Sequence, residues 1–390
     1  MMLTCVMPFY NNQDYIEEAL NSLVALNYND YEIILVDDGS EDNSTYIAEK
    51  FCNRYKNIKI IKHQTNKGVA QALKTCIKYS GGEYILFAAA DDISLPQRAK
   101  KCMDVFMNHE NVGIIISNAE IIDAESNLTG ELYKINEDIN DHNIFLEQLK
   151  RNYCLGATMA IKKDTNILLR EDSLLNIDDY EISLDYILAG YDIHIINEPL
   201  IKYRVHKKSI SNNKRLLYEK TVKSLKKYNS EDFKDLLLSK GFNQKDSYLS
   251  IGIFELFRLN YTKAIQYLRF ALEEIVDQNL DDFEIYFYLS SAYYGMGLFN
   301  ESYQYALRAL SLNNEEPTVL NNIGVLLCYL NYDSKKALKY LRKGLQIQPL
   351  YLDVYSNLQI LLGGNYLKKD LKFTSRLLSK SIVSRENYII

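Results

Sequence analysis

The sequence predicts an α/β domain built on a mostly parallel sheet, followed by an all-α repeat domain. Two patterns predict this order. Short apolar runs alternate with helix-period segments through about the first two hundred residues, and small and large apolar residues recur about every 35 positions further on. A length of 390 residues exceeds what one ordinary core serves and suits two.

The alternation opens with Leu3, Thr4, Cys5, Val6, Met7 and Pro8, which read as a strand. Residues 15–25 follow with helical spacing, then Tyr31, Glu32, Ile33, Ile34, Leu35 and Val36 as the next strand. Helix over 44–55, strand over 58–61, helix over 68–79 and strand over 84–87 continue the series. Strands joined by helices through short connections pair in parallel, with helices covering both faces. Ligands of such open sheets bind at the carboxyl ends of the strands, so the polar residues just after each strand matter most.

From about residue 207 to 245 the chain turns basic, with Lys207, Lys208, Lys214, Arg215, Lys220, Lys223, Lys226 and Lys227. A solvated connecting helix and a contact with an anionic surface are both open readings. Beyond it, Leu289, Ala292, Tyr293, Gly297, Phe299, Tyr303, Ala306, Ala309 and Leu312 recur at helix-pair spacing. They are answered by Ile323, Gly324, Leu327, Ala337, Leu341, Gly344, Ile347 and Pro349, and a weaker copy runs through Gly252, Tyr261, Ala264, Leu268 and Ala271. Gly and Ala at helix contacts let paired helices approach closely, and stacking then buries a continuous core. The block resembles tetratricopeptide repeats, although the leading Trp is absent and an insertion falls at 277–282. The expected boundaries are 1–212 for the α/β domain, 213–245 for the basic linker and 246–390 for the repeats.

Composition narrows the function classes. Hydrophobic residues at 47% and charged residues at 25% are ordinary for a globular protein, and 45 basic against 51 acidic residues give no general reason to bind nucleic acid. Residues 1–10 show no charged leader followed by an apolar run, and no stretch is apolar enough to span a bilayer, so the expectation is cytoplasmic. The six cysteines lack paired spacing and read as buried small residues.

Chemistry should gather where the strands end. Pro8, Phe9, Tyr10 and Asn11 follow the first strand, Asp37, Asp38, Gly39 and Ser40 the second, Asn66, Lys67, Gly68, Val69 and Ala70 the third, and Asp91 and Asp92 the fourth. Adjacent carboxylates at a sheet edge repel and lose hydration, a cost that a divalent cation removes. Hard oxygen ligands favour Mg2+ or Mn2+, which keep waters and bind substrate phosphates, so a diphosphate-bearing substrate follows.

These residues resemble glycosyltransferase family 2, inverting enzymes of the GT-A fold that use nucleotide diphosphate sugars. The resemblance covers about half the chain. It implies that Asp38 holds the base, with Pro8 and Tyr10 lining the nucleoside pocket, that Lys67 and Gly68 lie at the donor, and that Asp91 meets the ribose and Asp92 the metal. Many members carry a further acidic residue where this chain has Ala89. Later segments extend the likeness: Gly156, Ala157, Thr158 and Met159, then Asp178, Asp179, Tyr180 and Glu181, then Tyr203, Arg204, Val205 and His206. The family's catalytic base maps to Asp179, with Asp178 where Glu is usual, and His206 lies near the metal or donor phosphates. The implied reaction moves a sugar, UDP-linked in this reading, to a hydroxyl or thiol acceptor. The repeats would recruit a protein acceptor or mediate self-association.

Plainer roles stand beside these. Asp37 and Asp38 suit a turn, Asp91 and Asp92 can cap a helix, Asp179 can sit in a solvated loop, His206 can be structural, and Lys67 can be a surface lysine. Two rival functions also remain: extension of a glycan or lipid-linked oligosaccharide with peripheral membrane contact, and an inactive nucleotide-sugar-binding scaffold, suggested by Ala89 and Asp178.

Overall fold

The structure is a computed structural model that describes residues 2–169, 178–207, 214–274, 283–332, 334–364 and 366–377. The chain divides into two compact units, Met1–Lys227 and Tyr228–Lys380.

In the first unit, β1 (Leu3–Phe9), β2 (Tyr31–Asp37), β3 (Ile58–Lys62) and β4 (Tyr84–Phe87) pair in parallel, in the order β3-β2-β1-β4. Their crossovers are α1 (Ile16–Val24), α2 (Ser44–Arg54) and α3 (Val69–Tyr79). Central parallel strands are covered on both faces, which is why six of the seven β1 residues are buried and only Pro8 is half-buried. On α1, Ile16, Ala19, Leu20 and Leu23 are the buried positions, spaced as one helical face.

Beyond β4 the sheet becomes mixed. Its order continues β8 (Ala160–Lys162), β6 (Val112–Ile122), β9 (Asp192–Arg204) and β5 (Ile93–Ser94), with β7 (Leu128–Tyr133) on β6, nine strands among the described residues. Strand β8 runs antiparallel to both neighbours, because a 3₁₀ turn at Gly156–Thr158 leads into it rather than a helical crossover. Pairing of β6 with β9 is parallel and carries Arg204 to the carboxyl end of the sheet. Helices α4 (Arg98–Asn108), α5 (Ile144–Lys150), α6 (Thr165–Leu168) and α7 (Asp178–Leu188) complete this part, and α8 (Lys214–Leu225) follows.

The unit boundary falls inside 213–245, the stretch expected as a linker. Helix α8 belongs to the first unit, while α9 (Ser230–Ser239) opens the second. Lys227 is not a solvated cation, since it pairs with Glu181 at 2.8 Å and Asp185 at 3.2 Å, both buried on α7. Lys220, Lys223 and Lys226 are exposed. Lys208 and the side chains of Lys214 and Arg215 lie outside the described residues, as does the insertion at 277–282.

In the second unit α10 (Gln244–Phe257) pairs with α11 (Tyr261–Glu273), α12 (Phe283–Gly295) with α13 (Phe299–Leu312), and α14 (Pro317–Tyr329) with α15 (Ser334–Ile347), followed by α16 (Leu352–Gly363). All three hairpins turn alike. Leu259, Gly297 and Asn331 take left-handed φ of 62°, 75° and 57°, and the next residue's N–H reaches back five positions, to Glu255, Tyr293 and Leu327. The Gly295, Met296, Gly297 run is therefore a helix end. Small residues sit where helices close up: a Cβ on Gly252 would lie 2.7 Å from Leu268 Cγ, and one on Gly324 2.9 Å from Leu341 Cγ. Among the described residues, no helix is long and apolar enough to cross a membrane.

Candidate active site

The β2 end is built around two buried aspartates. Asp37 Oδ1 accepts the Ser40 N–H at 2.8 Å and its Oδ2 accepts the Thr45 hydroxyl, which folds the turn into α2. Gly39 sits at φ 79°, and a Cβ there would lie 2.9 Å from the Thr65 carbonyl carbon, so glycine lets the loop after β3 cross over it. Asp38 holds that loop. Its Oδ1 accepts the Lys67 N–H at 2.9 Å and faces His63 Nδ1 at 2.7 Å, while Oδ2 accepts the Gly68 N–H at 2.7 Å. His63 is fixed in turn by Thr75 Oγ1, 3.0 Å from Nε2.

The β1 end is tied to the same loops. Asn11, at φ 53°, donates its N–H to Ser40 Oγ at 3.0 Å and accepts the Glu41 N–H at 2.9 Å. Asn12 donates its N–H to Ser44 Oγ at 2.8 Å. Pro8 is half-buried, whereas Tyr10 and Lys67 are exposed at the rim. Gly68, at φ 89°, is the N-cap of α3 and lets the loop enter the helix.

At the β4 end, Asp92 is buried and Asp91 half-buried. Asp92 Oδ1 accepts the Arg204 N–H at 2.8 Å; Oδ2 has no hydrogen-bond partner. Burial, and next the Asp91 charge, push the Asp92 carboxyl up from 3.8 to about 8, against the opposing pull of the Arg204 N–H and of the Arg98 and Arg204 charges. His206 Nε2 meets Asp91 Oδ2 at 3.0 Å, and its ring packs on Tyr15 with centroids 4.8 Å apart.

Two buried arginines hold this end in place. The Arg204 side chain donates to the Asp91 carbonyl at 2.7 Å, to the Asp123 carbonyl at 3.1 Å and to Glu18 Oε2 at 2.6 Å. Arg98 donates to the Phe87 carbonyl at 2.8 Å and to the Ala157 carbonyl at 2.7 Å, linking the end of β4 to the 3₁₀ turn. Burial lowers the Arg98 pKa, and its charge is spent on carbonyl dipoles. That turn meets Asp179, whose Oδ2 accepts the Gly156 N–H at 3.2 Å and whose Oδ1 accepts from the Tyr180 N–H at 2.7 Å and Asn152 Nδ2 at 3.2 Å. The Asp178 side chain lies outside the described residues.

The predicted residues therefore fall into three groups: Asp38 with the Lys67 and Gly68 amides, Asp91 with Asp92 and His206, and Asp179 with the Gly156 turn. Reading the sequence alone passed over Arg98, His63 and Glu18. Arg98 was detectable in principle, because it occupies the apolar face of α4 with Ala99, Cys102, Met103 and Phe106. Among the described residues no group of three or more His, Cys, Asp or Glu side chains is arranged to hold a metal. Asp92 nevertheless fits one: a buried oxygen without a donor, in a carboxyl that burial drives toward neutrality, has its charge restored by a cation. The remaining ligands would come from water and substrate phosphate, as Mg2+ and Mn2+ accept.

Parallel strands with acidic ends, extended by a mixed second half, form a domain of the GT-A fold. Residues 4–175, within the first unit, match the family described as Glycosyl transferase family 2. It is 27% identical over 215 residues to WfgD of Escherichia coli, a UDP-Glc:alpha-D-GlcNAc-diphosphoundecaprenol beta-1,3-glucosyltransferase, covering 55% of this chain and 81% of that one. An uncharacterized glycosyltransferase of Haemophilus influenzae is 27% identical over 248 residues, covering 58% and 73%. The fold is shared with residues 1–349 of S. aureus TarS, solved in complex with UDP-GlcNAc, at a TM-score of 0.52 and 15% identity, over 90% of this chain and 92% of that one.

Proposed function

We propose that the chain is an inverting, metal-dependent glycosyltransferase that moves a sugar from a UDP-linked donor to a hydroxyl or thiol. The observation that carries this reading is Asp92 Oδ2, buried and without a donor at the end of β4 in a family 2 domain. Asp38, Pro8, Tyr10, Lys67 and Gly68 hold the nucleoside side of the donor, and Asp91 holds the ribose. Asp92 takes Mg2+ or Mn2+, with His206 as the second metal-side group. When bound, the cation neutralises charge on the departing diphosphate. Asp179, its oxygens oriented by Gly156, Tyr180 and Asn152, removes the acceptor's proton as the acceptor attacks the anomeric carbon from the face opposite the nucleotide. The helical repeats, tetratricopeptide-like in period, recruit a protein acceptor or a second copy, in the cytoplasm where sugar nucleotides are made.

A thermal-shift panel of nucleotide diphosphates and their sugars, with and without Mn2+, tests the donor site. The expected result is stabilisation by one nucleotide that needs metal and disappears in Asp92→Ala. No shift from any nucleotide would leave an inactive scaffold as the better description. A second reading, transfer to a lipid-linked oligosaccharide, draws on the acceptor named for the E. coli relative and on exposed Lys220, Lys223 and Lys226 of α8. Sedimentation with anionic liposomes favours it; no co-sedimentation argues for a dissolved acceptor.

A further inference from the structure

After α16 the chain makes a 3₁₀ turn at Lys368–Asp370 and then runs on as residues 371–377, outside any helix or strand. Its main chain is nevertheless held at alternate residues, Lys372 and Thr374. Asn357 of α16 accepts the Lys372 N–H at 2.7 Å and donates to the Lys372 carbonyl at 2.7 Å. Asn322 of α14 does the same two residues on, accepting the Thr374 N–H at 2.8 Å and donating to the Thr374 carbonyl at 2.7 Å. Asn321 donates to the Lys372 carbonyl at 2.9 Å, and its own oxygen accepts from Asn357 at 2.8 Å.

The Asn357 and Asn322 carboxamides thus each pair with one residue's N–H and C=O, as a neighbouring β-strand would, at alternate positions, and Asn321 braces the first pair. All three asparagines are buried, at 0%, 1% and 0% exposure for Asn321, Asn322 and Asn357. Apolar side chains would cover a helix face at less desolvation cost than three buried amides, so their presence points to a surface shaped for a peptide backbone. Side-chain contacts add a second layer of recognition. The Phe373 ring stacks on Tyr294 of α12, centroids 3.8 Å apart and 10° from parallel. The Thr374 hydroxyl donates to Asp353 at 2.8 Å and meets the Tyr351 hydroxyl. Arg376 lies over the Phe257 ring of α10.

These contacts come from the first helix of successive hairpins, α10, α12 and α14, and from α16, the next helix after them. We propose that this face is a binding site for an extended polypeptide, that residues 371–377 fill it as an intramolecular ligand, and that a partner protein's segment of the pattern aromatic-Thr-x-Arg exchanges with them. The main-chain pairs are indifferent to sequence, so any extended segment can form them, and Tyr294, Asp353 and Phe257 then select. Because the segment is tethered directly after α16, it acts at high effective concentration and holds the site closed until a competitor arrives. This deepens the reading of the repeats as an acceptor-recruiting array, yet it is tested by binding alone.

The probe is a fluorescent peptide of residues 369–377, titrated by anisotropy into the full chain. Thr374→Pro in the full chain removes the N–H that Asn322 accepts and loosens the tethered segment. The expected result is binding at least tenfold tighter to Thr374→Pro than to wild type, lost again when Asn322→Ala is added. A peptide N-methylated at Lys372 and Thr374 should not bind, and this arm decides the matter should the asparagine variant fold poorly. Equal binding to wild type and Thr374→Pro, or undiminished binding of the methylated peptide, would overturn the proposal. Nucleotide-induced stabilisation of the first unit is untouched by either outcome, so the donor-site reading stands or falls separately.

Discussion

The ends of β2 and β4 each carry an adjacent pair of aspartates, and the fold treats the two pairs in opposite ways. Asp38 faces a ring nitrogen and two backbone N–H groups, all from residues 63–68. Asp92, equally buried, receives one backbone N–H and has an oxygen facing no donor. A buried carboxylate with its donors in place shapes its loop and is held in a fixed orientation before any ligand arrives. One left half-satisfied is costly unless a ligand completes it, and burial raises its pKa in the meantime. The pairs look alike in sequence, yet of the two only the second keeps a buried oxygen without a donor.

The largest expected effect breaks this asymmetry at the β4 end. Asp92→Asn keeps an acceptor for the Arg204 N–H but removes the charge a cation needs. Sugar transfer should fall about a thousandfold or more, roughly 4 kcal/mol of transition-state stabilisation. Melting temperature without metal should hold or rise, since the buried unpaired carboxyl is gone. Initial rates beside a melting curve decide this, and a variant within tenfold of wild type would remove Asp92 from the chemistry.

The same change at the β2 end should act in the opposite sense. Asp38→Asn turns an amide NH2 toward N–H groups that now meet a carboxylate, at a cost of about 2–4 kcal/mol in folding stability. Denaturant unfolding measures it. A neutral result would mean that the loop over 63–68 closes without Asp38.

A third difference concerns pH. Unfolded, Asp92 releases its proton near 3.8; folded and free of metal, it keeps the proton up to about 8. Between those values the folded state binds more protons, so metal-free stability should fall as pH rises, by at most about 1.4 kcal/mol per unit, and level off above pH 8. Excess Mn2+ should flatten the slope, because the bound cation favours the charged form. Melting curves from pH 5 to 8.5 in chelator and in Mn2+, with Asp92→Asn as the flat control, test the sign.

Much of the first half of the sheet is legible in the sequence because its causes are local. The strand over Leu3–Phe9 and the helix over Ile16–Val24 each carry their own apolar period, and their expected bounds lie within a residue of the observed ones. Strand β8 gives no such sign. Three residues long, it is placed by neighbours on both sides that come from distant parts of the chain. The site divides the same way. Acidic pairs after strands are visible in one dimension, but what separates Asp38 from Asp92 is the set of donors that reach each. Those donors lie 25 to 30 residues away for Asp38 and 112 away for Asp92, separations that no local pattern encodes. In the helical unit, Gly252 and Gly324 were readable as close contacts because their partners, Leu268 and Leu341, repeat with them.

The smallest predicted effect sharpens the comparison at its outer edge. Thr75 reaches Asp38 only through His63, whose Nε2 it meets at 3.0 Å while Nδ1 faces Asp38. Thr75→Val keeps the volume and removes that hydroxyl, at a cost of about 1 kcal/mol. The Lys67 and Gly68 N–H groups would still hold the carboxylate, so the loop should stay closed and the fold intact. Freed at one nitrogen, the imidazole can rotate, and Asp38 loses the lateral partner that fixes its plane. Nucleotide affinity, read by isothermal titration, should weaken about fivefold with transfer otherwise unchanged. A loss beyond a hundredfold would mean that His63 meets the nucleotide itself, and no loss would mean that the two backbone amides alone orient Asp38.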